Sequence, residues 1–541
     1  MTQSDISPKA VLEYTRLLGL DFTPTECEWV AMGMNMSKKP FQQLRANPLE
    51  NRDPPAYGFS LLEPSPAGLA SDTNWWTPTR TTIDRPAKED DLAFLSVAEL
   101  AGLIADKTVS ATELTNLYLA RLKKYDDSLH CVVNLLEQRA LASAQRADEE
   151  IQAGRYRGPL HGIPYGIKDL FAAKSAPTTW GAAPYKDRVF QEDAGIVSKL
   201  EEQGAVLIAK LSTGTLAYHD DVWFGGQTKN PWDPKQGALG SSAGPAAAVA
   251  AGLVPFSVGT ETKASISAPC DRCGVFGLRP TPGLVSRTGL MTQSWTMDRI
   301  GPIGRTVEDC ALVFNAIQGP DGTDPEVTRH DFQWEDRPDL RHLTIGYVAD
   351  LFDRNPQMAP SKDQLKVFTE LGARLKPVKI PDYPSECLRL IVFAEAAASF
   401  DELTTAKKDA LLTHQGPTDI PNFLRTARLI PAVAYIQANR IRARLMAQMK
   451  EIFREVDLYL LPNLPSEERQ ASCYCGLPAL VIPNRFDERG RPESSFQFVG
   501  PPHGESLILS VGHRFTRSIG ITLGQPPMTR ERNPEEEKAL N

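Results

Sequence analysis

At 541 residues, 41% hydrophobic and 23% charged, the chain has an ordinary globular composition and more residues than one core usually serves. Its net charge of −8, with acidic and basic residues mixed along the sequence, argues against a nucleic-acid or anionic-membrane surface, which would need a basic stripe. The opening MTQSDISPKA lacks the basic start and apolar run of a signal peptide, and the longest apolar run, Ala246–Val254, is half the ~18 residues of a membrane span, so a cytoplasmic location is expected.

Ser7-Pro8 and Thr23-Pro24-Thr25-Glu26 are helix starts, each pairing a cap residue with proline at the first helical position. Seven prolines between Pro48 and Pro86 break any regular pattern and predict an extended connector. Residues 1–90 therefore read as a helical cap plus a proline-rich arm, residues 91–525 as the main domain and residues 526–541 as a charged, frayed tail.

Within the main domain, Ser96-Val97-Ala98-Glu99 and Ser110-Ala111-Thr112-Glu113 are capping boxes that begin successive helices, and Glu137–Ala153 is a third. The run Ile163–Lys168 reads as a buried strand ending in a lysine, a residue rarely buried without a partner or a purpose. Two bland readings stand beside a functional one: Lys168 snorkels to the surface, or it pairs with Asp169. Helix Ile196–Glu202 and strand Ala205–Ala209 follow. This alternation predicts an α/β fold with a central mixed, largely parallel β-sheet covered by helices on both faces.

Gly237–Gly289 is the stretch richest in Gly, Ser and Ala, where backbone amides can come close to a substrate. It places Ser241 and Ser242 just before the helix-forming Ala246–Ala251, where unpaired amides favour negative charge. Ser257–Gly259 is a short strand and Thr260–Ser265 a polar turn after it. Capping and turn-filling are the alternative roles for these serines. There is no histidine in this stretch, so a hydrolase built on Ser241 or Ser265 needs another base. Residues 330–440 read as polar and helical. Leu458–Leu461 and Ala479–Pro483 are strands, the latter pairing with Ser495–Val499, and His503–Ser518 is a closing amphipathic helix.

Eight cysteines read as reduced core thiols. Cys270-x-x-Cys273 lacks the second close pair of a zinc site, and Cys473-Tyr-Cys475 has the wrong spacing.

Gly240-Ser241-Ser242-Ala243-Gly244, then Gly259-Thr260-Glu261-Thr262-Lys263-Ala264-Ser265-Ile266, then Gly274-Val275-Phe276-Gly277-Leu278-Arg279-Pro280-Thr281 resemble the amidase signature family. Gly162-Ile163-Pro164 with Lys168-Asp169 and Pro177-Thr178-Thr179, the run Met297–Pro302, and Gly476-Leu477-Pro478-Ala479 extend the likeness over about residues 92 to 520. The resemblance implies a Ser–cis-Ser–Lys triad: Ser265 as nucleophile, Ser241 as bridging serine with a cis peptide before it, and Lys168 as base, with Ser242 bonded to Lys168. It implies an oxyanion hole from the N–H groups of Thr262, Lys263, Ala264 and Ser265, and neither metal nor organic cofactor.

The chain departs from the family pattern at Lys263-Ala264, where a Gly-Gly pair or an apolar residue followed by Gly is usual. Ser267 stands where many members have arginine, and Ala243 where many have glycine. An alanine at 264 would strain the turn if φ were positive there. Lys263 adds a cation that could stabilise an oxyanion, ease deprotonation of Lys168, or point outward.

The expected activity is hydrolysis of a small carboxylic amide, ester or carbamate through an acyl-enzyme, with neither nucleic acid nor membrane as partner and the oligomeric state, a homodimer included, left open. Two alternatives remain: a glutamine-hydrolysing subunit of a tRNA-dependent amidotransferase, and a catalytically silent member acting as a binding protein. Tyr218, Trp223, Phe224 and Trp295 are candidate pocket walls, though such aromatics are more often core.

Overall fold

A computed structural model of the chain describes residues 5–47, 81–218 and 221–529; the proline-rich stretch 48–80 and the tail from 530 onward lie outside the described residues. Of three N-terminal helices, α1 (Pro8–Leu17) and α2 (Pro24–Met36) begin where the caps predict, and a third, α3 (Lys38–Ala46), follows at Ser37 without a side-chain cap. Thr23 and Glu26 make the full reciprocal box at α2, as do Ser96 and Glu99 at the helix Val97–Ala105. At the helix Ala111–Leu129 only half the box forms: Ser110 accepts the Glu113 N–H, while the Glu113 carboxylate turns to Arg85.

The strands in chain order are β1 (Val132–Leu135), β2 (Pro164–Lys168), β3 (Val206–Leu211), four short ones, β4 (Val222–Trp223), β5 (Gly226–Gln227), β6 (Lys229–Asn230) and β7 (Asp233–Gly237), then β8 (Phe256–Glu261), β9 (Phe276–Arg279), β10 (Arg299–Gly304), β11 (Thr344–Val348), β12 (Arg374–Val378), β13 (Leu458–Pro462), β14 (Ala479–Phe486) and β15 (Pro492–Val499). One 11-stranded mixed sheet runs β1-β3-β2-β8-β10-β9-β14-β15-β13-β11-β12. Its parallel pairs lie toward the two flanks, in β3-β2-β8 and β13-β11-β12, and the strands between them are antiparallel. In β2, β3 and β8 every residue is buried, as continuous apolar strands with covered faces require.

Three sequence expectations change here. Thr260 and Glu261 belong to β8 rather than to the following turn, because they pair with Ile300 and Arg299 of β10. Residues 330–440 contain the strands β11 and β12 besides helices. The closing helix is Glu505–Ile519, and His503 lies before it with positive φ.

The N-terminal helices dock far along the chain. α2 packs on the helix Ile420–Ala427 and α3 on the helix Ser385–Ser399. Glu26 and Asp409 both bind the Arg425 guanidinium, at 2.7 and 2.9 Å, and the Cys387 N–H donates to Gln43 Oε1 at 3.1 Å. Val11, Leu20, Phe22, Cys27, Val30 and Ala31 form a small core closed by Leu429. All eight cysteines are buried thiols without disulfides.

Candidate functional site

Lys168 closes β2 and has no solvent exposure. Its Nζ donates to Ser241 Oγ at 2.8 Å, Ser242 Oγ at 3.0 Å and Thr260 Oγ1 at 2.9 Å. Among the described residues no carboxylate lies in ion-pair range of it. Burial pulls its pKa down to about 7, against the opposing fields of Asp298 and Glu261. Asp169, the next residue, pairs instead with a second buried lysine, Lys210 of β3, at 2.8 Å, and accepts bonds from the Thr179 N–H and hydroxyl. Neither bland reading of Lys168 therefore holds.

The peptide Gly240–Ser241 is cis. Ser242 does not cap the helix Ala243–Ala250; its hydroxyl donates to the Thr260 carbonyl at 3.0 Å and accepts the Thr260 N–H at 3.2 Å. This close contact explains Gly259, where a Cβ would lie 2.8 Å from Ser242 Oγ. The Ser242 N–H donates to the carbonyl of half-buried Ser265 at 3.0 Å, so the two serine segments are joined.

The turn after β8 hangs on the Glu261 carboxylate. It accepts the Ile266 and Ser267 N–H groups, each at 2.8 Å, and the Ser267 hydroxyl at 3.0 Å, and it pairs with Arg279 at 2.8 Å. Among the described residues the N–H groups of Lys263, Ala264 and Ser265 have no acceptor, whereas the next two are taken. Thr262 is fixed by its hydroxyl, which lies 2.7 Å from Asp298 Oδ1 and 3.0 Å from Gln293 Oε1. Ala264 is not among the residues with positive φ, so alanine brings no left-handed strain. Lys263 is half-buried, and burial and the Arg389 guanidinium pull its pKa down to about 8; its carbonyl accepts the Cys473 thiol.

The structure thus brings Lys168, Ser241, Ser242 and the Thr262–Ser265 turn together. Sequence reasoning missed Thr260, Glu261 and Lys210 as members of the constellation. Their only signal was a polar residue inside or ending an otherwise apolar strand, which becomes meaningful once the strands are paired. Of the aromatic candidates, Tyr218 lines a cavity of about 230 Å³ beneath the N-terminal helices and stacks on Phe423 at 4.3 Å. Trp223 is buried with its indole N–H on the His130 carbonyl and its ring against Phe224, and Trp295 is exposed.

The family model described as Amidase matches residues 113–472. A glutamyl-tRNA(Gln) amidotransferase subunit from Chloroflexus aurantiacus is 32% identical over 474 residues, covering 79% of this chain and 97% of that one. Among solved structures, the native peptide amidase from Stenotrophomonas maltophilia matches with a TM-score of 0.72 at 27% identity, over 81% of this chain and 99% of that one. An amidase family protein from Bacillus anthracis matches with a TM-score of 0.71 at 26% identity, over 81% and 93%. Among the described residues no helix is long and apolar enough to cross a membrane.

Proposed function

Because this chain belongs to the amidase signature family, we propose that it hydrolyses small carboxylic amides through an acyl-enzyme on Ser265. The observation that carries this reading is Lys168, a buried lysine bonded only to hydroxyls and carbonyl oxygen, with a pKa near working pH. A general base works best when its pKa lies near the operating pH, and lysine reaches that range by desolvation. Neutral Lys168 takes the Ser241 proton as Ser241 takes the proton of Ser265, and Ser265 Oγ bonds to the substrate carbonyl carbon. The unpaired N–H groups of the 263–265 turn, with Thr262 beside them, then receive the oxyanion; removing one such donor commonly costs 10²–10³-fold in rate. Collapse breaks the C–N bond, and the proton held by Lys168 returns through Ser241 to the leaving amine. Water, deprotonated by the same relay, releases the acid.

The test is acyl transfer from aryl and alkyl amides to hydroxylamine. We expect turnover by the parent and none by Ser265→Ala; full activity of that variant would sink the mechanism. Esters and carbamates belong in the same panel as further acyl donors. A second reading is favoured by the likeness to a glutamyl-tRNA(Gln) amidotransferase component: this chain would hydrolyse glutamine within a complex. Its mark would be glutaminase activity that appears only with co-purifying partners, with no turnover of simple amides by the isolated chain.

A further inference from the structure

The three N–H groups without acceptors in the 263–265 turn are aimed by what holds the other side of each peptide. A trans peptide is planar, so its C=O and N–H point in opposite directions. The peptides of this turn are trans. Fixing a carbonyl on one side therefore fixes the direction of the next residue's N–H on the other.

All three carbonyls are held. The Ala264 carbonyl, which shares a peptide with the Ser265 N–H, accepts the Ala268 N–H at 2.8 Å, a local bond into the following helix. The other two holders come from far along the chain. The Thr262 carbonyl, on the peptide of the Lys263 N–H, accepts Arg299 Nη2 of β10 at 3.3 Å. The Lys263 carbonyl, on the peptide of the Ala264 N–H, accepts the Cys473 thiol from the helix Glu467–Tyr474.

Cys473 is held as a donor. It has no solvent exposure, and burial pushes its thiol pKa up, so the sulfur keeps its proton. The sulfur accepts Arg279 Nη1 at 2.7 Å, from the same guanidinium that pairs with Glu261. Arg299 is buried too, and the Nη2 that reaches Thr262 also donates to the Cys473 carbonyl at 2.8 Å. Its Nε is fixed on the Met297 carbonyl at 2.7 Å. Two arginines thus grip Cys473 by side chain and backbone, and Cys473 grips the turn that carries Ser265.

We propose that Cys473 and Arg299 are positioning residues for amide hydrolysis, keeping the Ala264 and Lys263 N–H groups turned toward the substrate carbonyl oxygen. This inference rests on the hydrolase reading and adds to it the remote side chains that preform the oxyanion site. Donors already in place need no reorientation as charge develops, which is the source of their effect on rate. Without the thiol, the 263–264 peptide loses the bond that opposes its rotation. Turned over, it presents the Lys263 carbonyl to the oxyanion in place of the Ala264 N–H.

The test uses two probes that need no natural substrate: a fluorophosphonate, which labels Ser265, and 1,1,1-trifluoro-4-phenylbutan-2-one. Ser265 Oγ adds to the ketone carbon, its proton passes through Ser241 to Lys168, and the ketone oxygen becomes an oxyanion on the turn. Cys473→Ala should slow labelling and raise the ketone's Ki by at least about tenfold. That is less than the 10²–10³-fold of a deleted donor, because the N–H remains but is no longer held. Cys473→Ser, which keeps an O–H donor, should return both to within about threefold of the parent. Arg299→Met should give a smaller loss, about three- to tenfold, because its bond to Thr262 is longer. Cys473→Ala and Cys473→Ser should melt alike while their labelling rates differ, which separates positioning from folding. A labelling rate of Cys473→Ala within about twofold of the parent overturns the inference and leaves the hydrolase reading standing. Equal losses in Cys473→Ala and Cys473→Ser overturn it as well, since the bond is then not the cause. No labelling of Ser265 in the parent removes the hydrolase reading, and this inference with it.

Discussion

Two lysines sit side by side on adjacent parallel strands, both fully shielded from solvent. Lys168 ends β2 opposite Leu211, and Lys210 of β3 lies opposite Ile167. Burial lowers the pKa of each. They differ in what meets the ammonium. Lys210 has the Asp169 carboxylate and the Thr178 hydroxyl, each at 2.8 Å, and the carboxylate opposes the effect of burial. Lys168 has only hydroxyls and one long contact to a carbonyl. Burial with an anion makes an internal ion pair that holds the strand ends; burial with neutral acceptors makes a group ready to give up its proton. The same residue type thus takes two roles, divided by one carboxylate.

That division can be broken by exchange. Lys168→Met should fold and lose about 10³-fold or more in acyl transfer, the size of a missing general base. A loss under tenfold, measured per folded molecule, would remove Lys168 from the mechanism. Lys210→Met should instead cost stability, roughly 3–5 kcal/mol by denaturant midpoint, because Asp169 stays buried and unpaired. Recovery of much of that loss in Lys210→Met/Asp169→Asn would sharpen the comparison, and a single variant as stable as the parent would end it.

A smaller effect follows from pH. With Lys168 titrating near 7 and acting as the neutral base, kcat/KM should fall about tenfold per pH unit below that point and level off above it. The sign for stability is the reverse of an ordinary salt-bridged lysine. Between about 7 and the unperturbed lysine value of ~10.4 the unfolded chain holds more protons at this position, so the folded state gains as pH rises through that window. Lys168→Met removes this penalty, and its melting temperature relative to the parent should therefore be higher at pH 6 than at pH 9. An unchanged difference would show that the lysine keeps its ordinary titration. Smallest of all, Ala264→Gly should alter the rate less than threefold and cost about 0.5–1 kcal/mol in chain entropy, since alanine already has an allowed φ.

Much of this site was legible before any strand was paired. Lys168 stood out as a charge at the end of an apolar run, and Ser241, Ser242 and Ser265 as hydroxyls in a stretch of small residues. What stayed hidden depends on partners far away in sequence. Thr260 becomes a ligand of Lys168 across 92 positions, and Asp169 chooses Lys210 over its own neighbour because β2 and β3 run parallel in register. The strands β11 and β12 escaped notice for a different reason. β12 is an edge strand, mostly exposed and carrying Arg374 and Lys376, so its pattern resembles that of a polar helix or loop.

The docking of α2 and α3 has a consequence for how the molecule is born. These helices leave the ribosome long before residues 385–430, which make their seats. The bond from Asn422 Nδ2 to the Trp29 carbonyl spans 393 positions. At roughly 5–20 residues per second, the N-terminal helices wait about 20–80 s for the surface that covers their apolar side. During that interval Val11, Leu20 and Val30 have no Leu429 to close over them. The cavity beneath α2 and α3, whose lining runs to Ile430, is therefore completed only after Lys168 and the two serine segments have been synthesised, and a nascent chain stalled short of residue 385 would carry every proposed catalytic group but no finished cavity.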